Sequence, residues 1–209
     1  METFQSKVAL FHKVFGHPHP STPITNLPSK LADLRYNLIH EELTELKDAL
    51  NADDSKETLD ALGDIMYVVM GYRVVCGFSD KNDTNFRAIR DYRDIYFIES
   101  VSFQNRVDFV CKNYIKSLDS LLESIKRISE HNNMQELDLY LNTLAEKTYD
   151  FSCYLGYNLD EAYNRIQESN MSKLCKTEDI AKETVEKYKV TNPDWIVEYR
   201  ESEYGFTVF

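Results

Sequence analysis

HEELTELKDAL, residues 40–50, and ETLDALGDIMYVVMG, residues 57–71, decide how this chain reads. In the first stretch Leu38, Leu43, Leu46 and Leu50 repeat at helical spacing, and they continue a stripe begun by Leu31 and Leu34. The spacing predicts an amphipathic helix from about Leu27 to Leu50, with Ser29 or Asn26 as its N-cap. Glu41, Glu42 and Glu45 lie within one and a half turns of it. At about 100° per residue, roughly 40° separates Glu41 from Glu45 and roughly 60° separates Glu42 from Glu45. The second stretch predicts a helix from the Ser55–Thr58 region to about Cys76, with Leu59, Leu62, Ile65, Met66, Val69 and Val74 apolar and Gly77 just past its end. Glu57, Asp60 and Asp64 share one of its faces, and Asp64 opens the apolar run IMYVVMG.

A carboxylate beside an apolar stripe resists desolvation and repels its like neighbours. A hard divalent cation relieves both costs. The short NADDS connection makes the two helices antiparallel neighbours, so Glu42 and Glu45 face Asp60 and Asp64 across the seam. This is an all-oxygen donor set suited to Mg²⁺. An isolated E-E-x-x-E run is ordinarily a solvated helix face. The acids on the second helix, set in an apolar run, are what raise it above that.

Around this pair the chain reads as helical. Phe4–Phe15 has helical apolar spacing and Gly16 stops it, while the proline-rich GHPHPSTPITNLPS forms an ordered arm. Residues 79–101 have no clean period. Helices are expected at Phe103–Ser129, Met134–Tyr154, Leu159–Ser169 with Asn158 as cap, and Ile180–Tyr188. The tail DWIVEYRESEYGFTVF reads as a small β-hairpin or a docked arm. Shifting the chain by 79 places Gly77 on Gly156, Leu43 on Leu122, Leu46 on Ile125, Leu62 on Leu141 and Ile65 on Leu144 without a gap. That register reads as a degenerate duplication of one helical hairpin, or as the coincidence that any two hairpins of similar length produce. Under it Glu42 falls on Leu121, Glu45 on Ser124, Asp60 on Leu139 and Asp64 on Thr143, so the second copy has no acid site.

Composition fits one globular domain or two small ones: 209 residues, 43% hydrophobic and 28% charged, with 6 Gly and 5 Pro. The net charge of -11 argues against a phosphate-backbone footprint, hence no nucleic-acid partner. Polyphosphate binding through a bridging cation remains open to an acidic protein. The four cysteines form no C-x-x-C pair and read as reduced packing residues. The five histidines show no zinc spacing, and no Glu-x-x-His pair supports a di-iron bundle. The opening METFQSKVALFHKVFG lacks the apolar stretch of a signal peptide, and no run reaches membrane-spanning length. The expectation is a cytoplasmic protein without a membrane partner.

LRYNLIHEELTELKDAL followed by DALGDIMYVVMG resembles the all-α nucleoside triphosphate pyrophosphohydrolases of the MazG-like and phosphoribosyl-ATP pyrophosphohydrolase-like superfamily. VALFHKVFGHPHPSTPITNLPSKLADLR is similar to the leader of its phage and bacterial branch. LGYNLDEAYNRIQESNMSKL is similar to that branch's last core helix and its S-N-M-S-K signature. The resemblance implies an all-α bundle of MazG-like type over residues 1–175, with an inserted helical hairpin at about 79–153 and a C-terminal helix and tail over 176–209. It implies a Mg²⁺-dependent hydrolase that converts an NTP, above all a dNTP, to the monophosphate and pyrophosphate. Glu42, Glu45, Asp60 and Asp64 would hold the metal, and Glu41 or Glu45 would orient or deprotonate water. Asn170 and Lys173 would contact substrate, with Tyr67 against the nucleoside, although a tyrosine in an apolar run is ordinarily core. The family's second motif is E-x-x-D, whereas Ala61 precedes Asp64 at that spacing and Glu57 with Asp60 satisfies it one turn earlier. The resemblance also implies a homo-oligomer, in the simplest case a dimer, unless the extra hairpin supplies what a partner supplies elsewhere. A catalytically silent helical scaffold or regulatory protein that kept the fold is the competing reading. Retention of the costly acids argues against it.

Overall fold

The computed structural model describes residues 2–80, 86, 103–193 and 195–208, and for 103–109 the backbone alone. The segment without a clean period lies almost wholly outside the described residues. Seven helices and three short strands are described: α1 Phe4–Phe15, α2 Ser29–Asn51, α3 Ser55–Val75, α4 Phe103–Glu130, α5 Met134–Tyr154, α6 Leu159–Met171, β1 Leu174–Cys175, α7 Glu178–Thr191, β2 Tyr199–Ser202 and β3 Gly205–Val208. The architecture is an all-α bundle with a small C-terminal sheet. Its antiparallel order is β1-β3-β2. The hairpin expected in the tail is β2 and β3. The third strand, β1, has only two residues, too short to leave a period-2 pattern.

Local chemistry sets the boundaries. Thr3 caps α1 in a reciprocal box with Ser6, and Gly16 ends it at φ +70. Neither Ser29 nor Asn26 caps α2. Pro28 holds the cap position without a side-chain bond, its carbonyl accepting from the Leu31 and Ala32 N–H groups. Asp54, one residue before the expected Ser55, caps α3 by accepting from the Lys56 and Glu57 N–H groups. The four cysteines are free thiols.

α2 packs on α3, α4 on α5, α2 on α4 and α3 on α5, with α1 and α6 laid against α3. The central helix, α3, is therefore buried almost all round: Leu62, Met66, Val69 and Tyr72 are inaccessible to solvent. A separate small core of Cys175, Ala181, Val185, Val197 and Val208 lies between α7 and the sheet.

The two hairpins match residue for residue. Among described non-glycine residues only Asp53 and Asn132 have positive φ, at 53° and 52°, and they stand 79 positions apart. Gly77 and Gly156, at φ +69 and +79, keep the same offset. The inter-helix turns share their bonds, Asp53 N–H to Leu50 O and Asp54 N–H to Ala49 O in one, Asn132 N–H to Ser129 O and Asn133 N–H to Ile128 O in the other. The C-terminal turns repeat as well: Phe78 N–H bonds Arg73 O as Tyr157 N–H bonds Ser152 O. Helix against equivalent helix is the packing of a two-fold pair, here formed within one chain. Coincidence of length does not produce matching left-handed turns, so the duplicated hairpin stands as the better account.

Candidate active site

The seam between α2 and α3 on the face away from α4 and α5 carries the carboxylates. Residues 35, 38, 42 and 45 of α2 form one stripe, since seven residues return to within about 20° of the same direction. Residues 60, 64, 67 and 71 of α3 form the facing stripe. The antiparallel register sets Glu42 opposite Asp64 and Arg35 opposite Gly71: a Cβ on Gly71 would lie 3.2 Å from the Arg35 Nη1.

Glu42 and Asp64 are partly buried, whereas Glu41, Glu45, Glu57 and Asp60 are exposed at the rim. Burial pushes the Glu42 carboxyl up to about 8, and the charges of Asp64, Glu45, Glu41 and Asp60 push it in the same direction. Burial pushes Asp64 up to about 7, reinforced by Asp60 and Glu45. These five acids therefore share one electrostatic neighbourhood. Glu57 acts on neither carboxyl and instead pairs with Lys56 at 3.2 Å. Among the described residues no three His, Cys, Asp or Glu side chains converge on one point. The donor chemistry, oxygen only and part desolvated, is of the kind a hard divalent ion such as Mg²⁺ takes.

Tyr67, one turn beyond Asp64, is buried and donates to Gln167 Oε1 at 2.9 Å. Burial raises the phenol's pKa, and Asn170 lies near enough to act on it in the opposite direction. The expected Asn170 thus meets Tyr67 beside the acids. Gly63 makes this approach feasible, because a Cβ there would lie 2.5 Å from Ile166 Cδ1 of α6. The Lys173 carbonyl accepts from the Val208 N–H, and the residue borders a groove of about 280 Å³ with Trp195 and Ile196. Sequence reasoning passed over Gly63, Gly71, Gln167 and Arg35. The signal available for the glycines was their place in a helix interior, where glycine costs stability unless close packing needs it.

The family of phosphoribosyl-ATP pyrophosphohydrolases matches residues 8–104 of the chain, a span that holds the leader and the whole acidic hairpin. An uncharacterized protein of Acanthamoeba polyphaga mimivirus is 33% identical over 209 aligned positions, covering 92% of this chain and 80% of the relative. The chain belongs to the MazG-like superfamily of nucleotide pyrophosphohydrolases. No solved structure matches it. In this MazG-like chain the family match ends where α4 begins, so it covers the first hairpin and stops short of the second. No helix among the described residues is long and apolar enough to cross a membrane.

Proposed function

We propose that the chain is a Mg²⁺-dependent nucleoside triphosphate pyrophosphohydrolase that converts an NTP, in the first place a dNTP, to the monophosphate and pyrophosphate, clearing the nucleotide pool. One observation carries this reading: Glu42 and Asp64, on separate helices, are drawn into a common part-buried seam that pushes their carboxyls up to about 8 and about 7. Such a cost is expected where the acids serve a bound cation.

Glu42 and Asp64, assisted by Glu45 and Asp60, would hold the metal. Bound there, Mg²⁺ would neutralise phosphoryl charge and lower the pKa of water. Glu41 or Glu45, exposed at the rim, accepts the proton of that water as it attacks the α-phosphorus. The bond from the α-phosphorus to the bridging oxygen breaks, and pyrophosphate leaves. Tyr67 and Asn170, beside the acids, would contact the nucleoside. Lys173, two residues past the end of α6, would supply a phosphate counter-charge. A homo-oligomer, a dimer in the simplest case, would form through another face, since α4 and α5 already close the bundle.

The test is pyrophosphate release from a panel of NTPs and dNTPs in Mg²⁺ and in EDTA. Release that needs Mg²⁺ and ranks one dNTP first is the expected result. Absence of release from every nucleotide would leave the silent-scaffold reading.

A further inference from the structure

The same seam carries a second charged feature that the metal site does not use. Arg35 lies on the carboxylate stripe of α2, two turns before Glu42. Its side chain makes no hydrogen bond or ion pair with any described residue, and its Nε is buried without a partner. Burial lowers its pKa, and no carboxylate appears among the charges acting on it. The groups that act on it are the Tyr72 phenol and the Cys76 thiol, both buried and neutral at neutral pH. His12 and His17 both feel its charge, and His17 also feels Arg200.

The other buried arginine shows what a structural guanidinium looks like here. Arg73, 1% exposed, donates to Gln5 Oε1, the Asp138 carboxylate and the Ser79 carbonyl. A part-buried cation left without such partners is destabilising unless something anionic completes it. Room has been kept for it as well. Gly71 stands where a methyl would sit 3.2 Å from Arg35 Nη1 and 3.4 Å from His12 Nε2. His12 is held neutral, its Nδ1 on the Pro18 carbonyl at 2.9 Å, so it adds no second charge at neutral pH. The equivalent pair in the second hairpin, Tyr114 and Asp150, closes on itself through a hydrogen bond and leaves no such opening.

Seven residues of helix put Arg35 about 10 Å along the axis from Glu42. That is a distance a polyphosphate clasped by a metal at the carboxylates can bridge, and the planar guanidinium fork suits phosphoryl oxygens. We propose that Arg35 is a substrate-binding residue that takes the distal phosphoryl groups, the part of the nucleotide that leaves as pyrophosphate. The proposal rests on the pyrophosphohydrolase reading and names the group in the substrate that this end of the seam selects. It predicts a preference for nucleoside triphosphates over nucleoside diphosphates, because a nucleoside diphosphate lacks the γ-phosphoryl group that reaches Arg35.

Calorimetric titration of the full chain with inorganic pyrophosphate in Mg²⁺ tests it, in wild type, Arg35→Gln and Arg35→Lys. Arg35→Gln is expected to weaken pyrophosphate binding at least tenfold, and Arg35→Lys less. Inhibition by the nucleoside monophosphate should stay within twofold. The thermal midpoint of Arg35→Gln should not fall, because the side chain it removes has no partner. If Arg35→Gln does not fold, Gly71→Ala displaces the guanidinium and should weaken pyrophosphate likewise. Unchanged pyrophosphate binding, no binding by wild type, or equal weakening of pyrophosphate and monophosphate would overturn the assignment. Arg35-dependent pyrophosphate binding without hydrolysis of any nucleotide would keep the subsite and remove the hydrolase reading. Hydrolysis with Arg35-independent pyrophosphate binding would do the reverse.

Discussion

The hairpin α2–α3 and the hairpin α4–α5 share turns and core positions, yet they carry opposite chemistry at the seam. Where the first has Glu42, Glu45, Asp60 and Asp64, the second has Leu121, Ser124, Leu139 and Thr143. The core positions behave differently. Ile39 and Leu118, Leu43 and Leu122, Leu62 and Leu141, and Tyr72 and Phe151 are buried in both copies and stay large and apolar. Packing thus preserves the buried positions in each hairpin, while the acids persist only in one. The second hairpin shows that this backbone folds without them. In the first they are a cost that only a task at the seam explains.

The largest expected effect is on turnover. Glu42→Gln removes a part-buried acid facing Asp64, and pyrophosphate release should drop by about a hundredfold or more. The matched change on the other hairpin, Ser124→Ala, should leave the rate within twofold, because among the described residues Ser124 bonds the Ser120 carbonyl and Arg127 alone. Equal losses would break the asymmetry between the copies.

Next comes stability at one packing point. Gly63→Ala drives a methyl into Ile166 and should cost about 1–3 kcal/mol in urea unfolding, since overpacking a filled contact is penalised. The equivalent residue, Asn142, bonds Glu146 on the same helix at 2.8 Å, and Asn142→Ala should stay within about 0.5 kcal/mol.

Stability should also depend on pH in a way that belongs to the first hairpin alone. A carboxyl whose folded pKa is raised stabilises the fold most when protonated. Its contribution is fully present below the unfolded value near 4.5 and is lost as pH rises through about 8 for Glu42 and about 7 for Asp64. The metal-free thermal midpoint should therefore fall from pH 6 to pH 8.5, by an amount on the order of 2 kcal/mol once partial exposure is allowed for. Mg²⁺ or Glu42→Gln should flatten the fall. His12 acts in the opposite sense: buried and lowered to about 4, it removes stability as pH drops below 6.5. Between about pH 4.5 and 6.5 it offsets one of the two carboxyls, so the fall is shallower there than above pH 6.5. A midpoint that rises from pH 6 to pH 8.5 in EDTA would contradict the desolvated-acid account.

The smallest effects lie in the matched turns. Asp53→Gly relieves a left-handed residue and should change stability by no more than about 0.5 kcal/mol. Asn132→Gly relieves the same conformation but loses the 2.8 Å bond from the Leu27 N–H, so it should cost about 1 kcal/mol. The difference between the two measures what the second hairpin contributes to holding the leader in place.

Much of this was legible in the sequence for physical reasons that can be named. The helices of both hairpins announce themselves through apolar periodicity, and the offset of 79 is visible in Gly77 and Gly156 before any coordinates. The paired acids are legible because four- and three-residue spacings put them on one face. The caps were less so: Asp54 competes with Ser55 and Thr58 within four residues, and Pro28 takes a position where a hydroxyl was expected. Arg35 was illegible because its role depends on what it lacks, and an unpaired cation looks the same in sequence as a solvated one. Lys173 read as part of a signature, and what the fold adds is that its carbonyl joins the C-terminal sheet through the Val208 N–H.

The most direct test of the central claim converts the first seam into the second. In the double variant Glu42→Leu and Asp64→Thr, the two part-buried acids take the residues that α4 and α5 carry at the same positions. The account predicts a folded protein with a higher metal-free thermal midpoint at pH 8 and no Mg²⁺-dependent pyrophosphate release. Retention of that release in the double variant would contradict it and place the chemistry elsewhere in the chain.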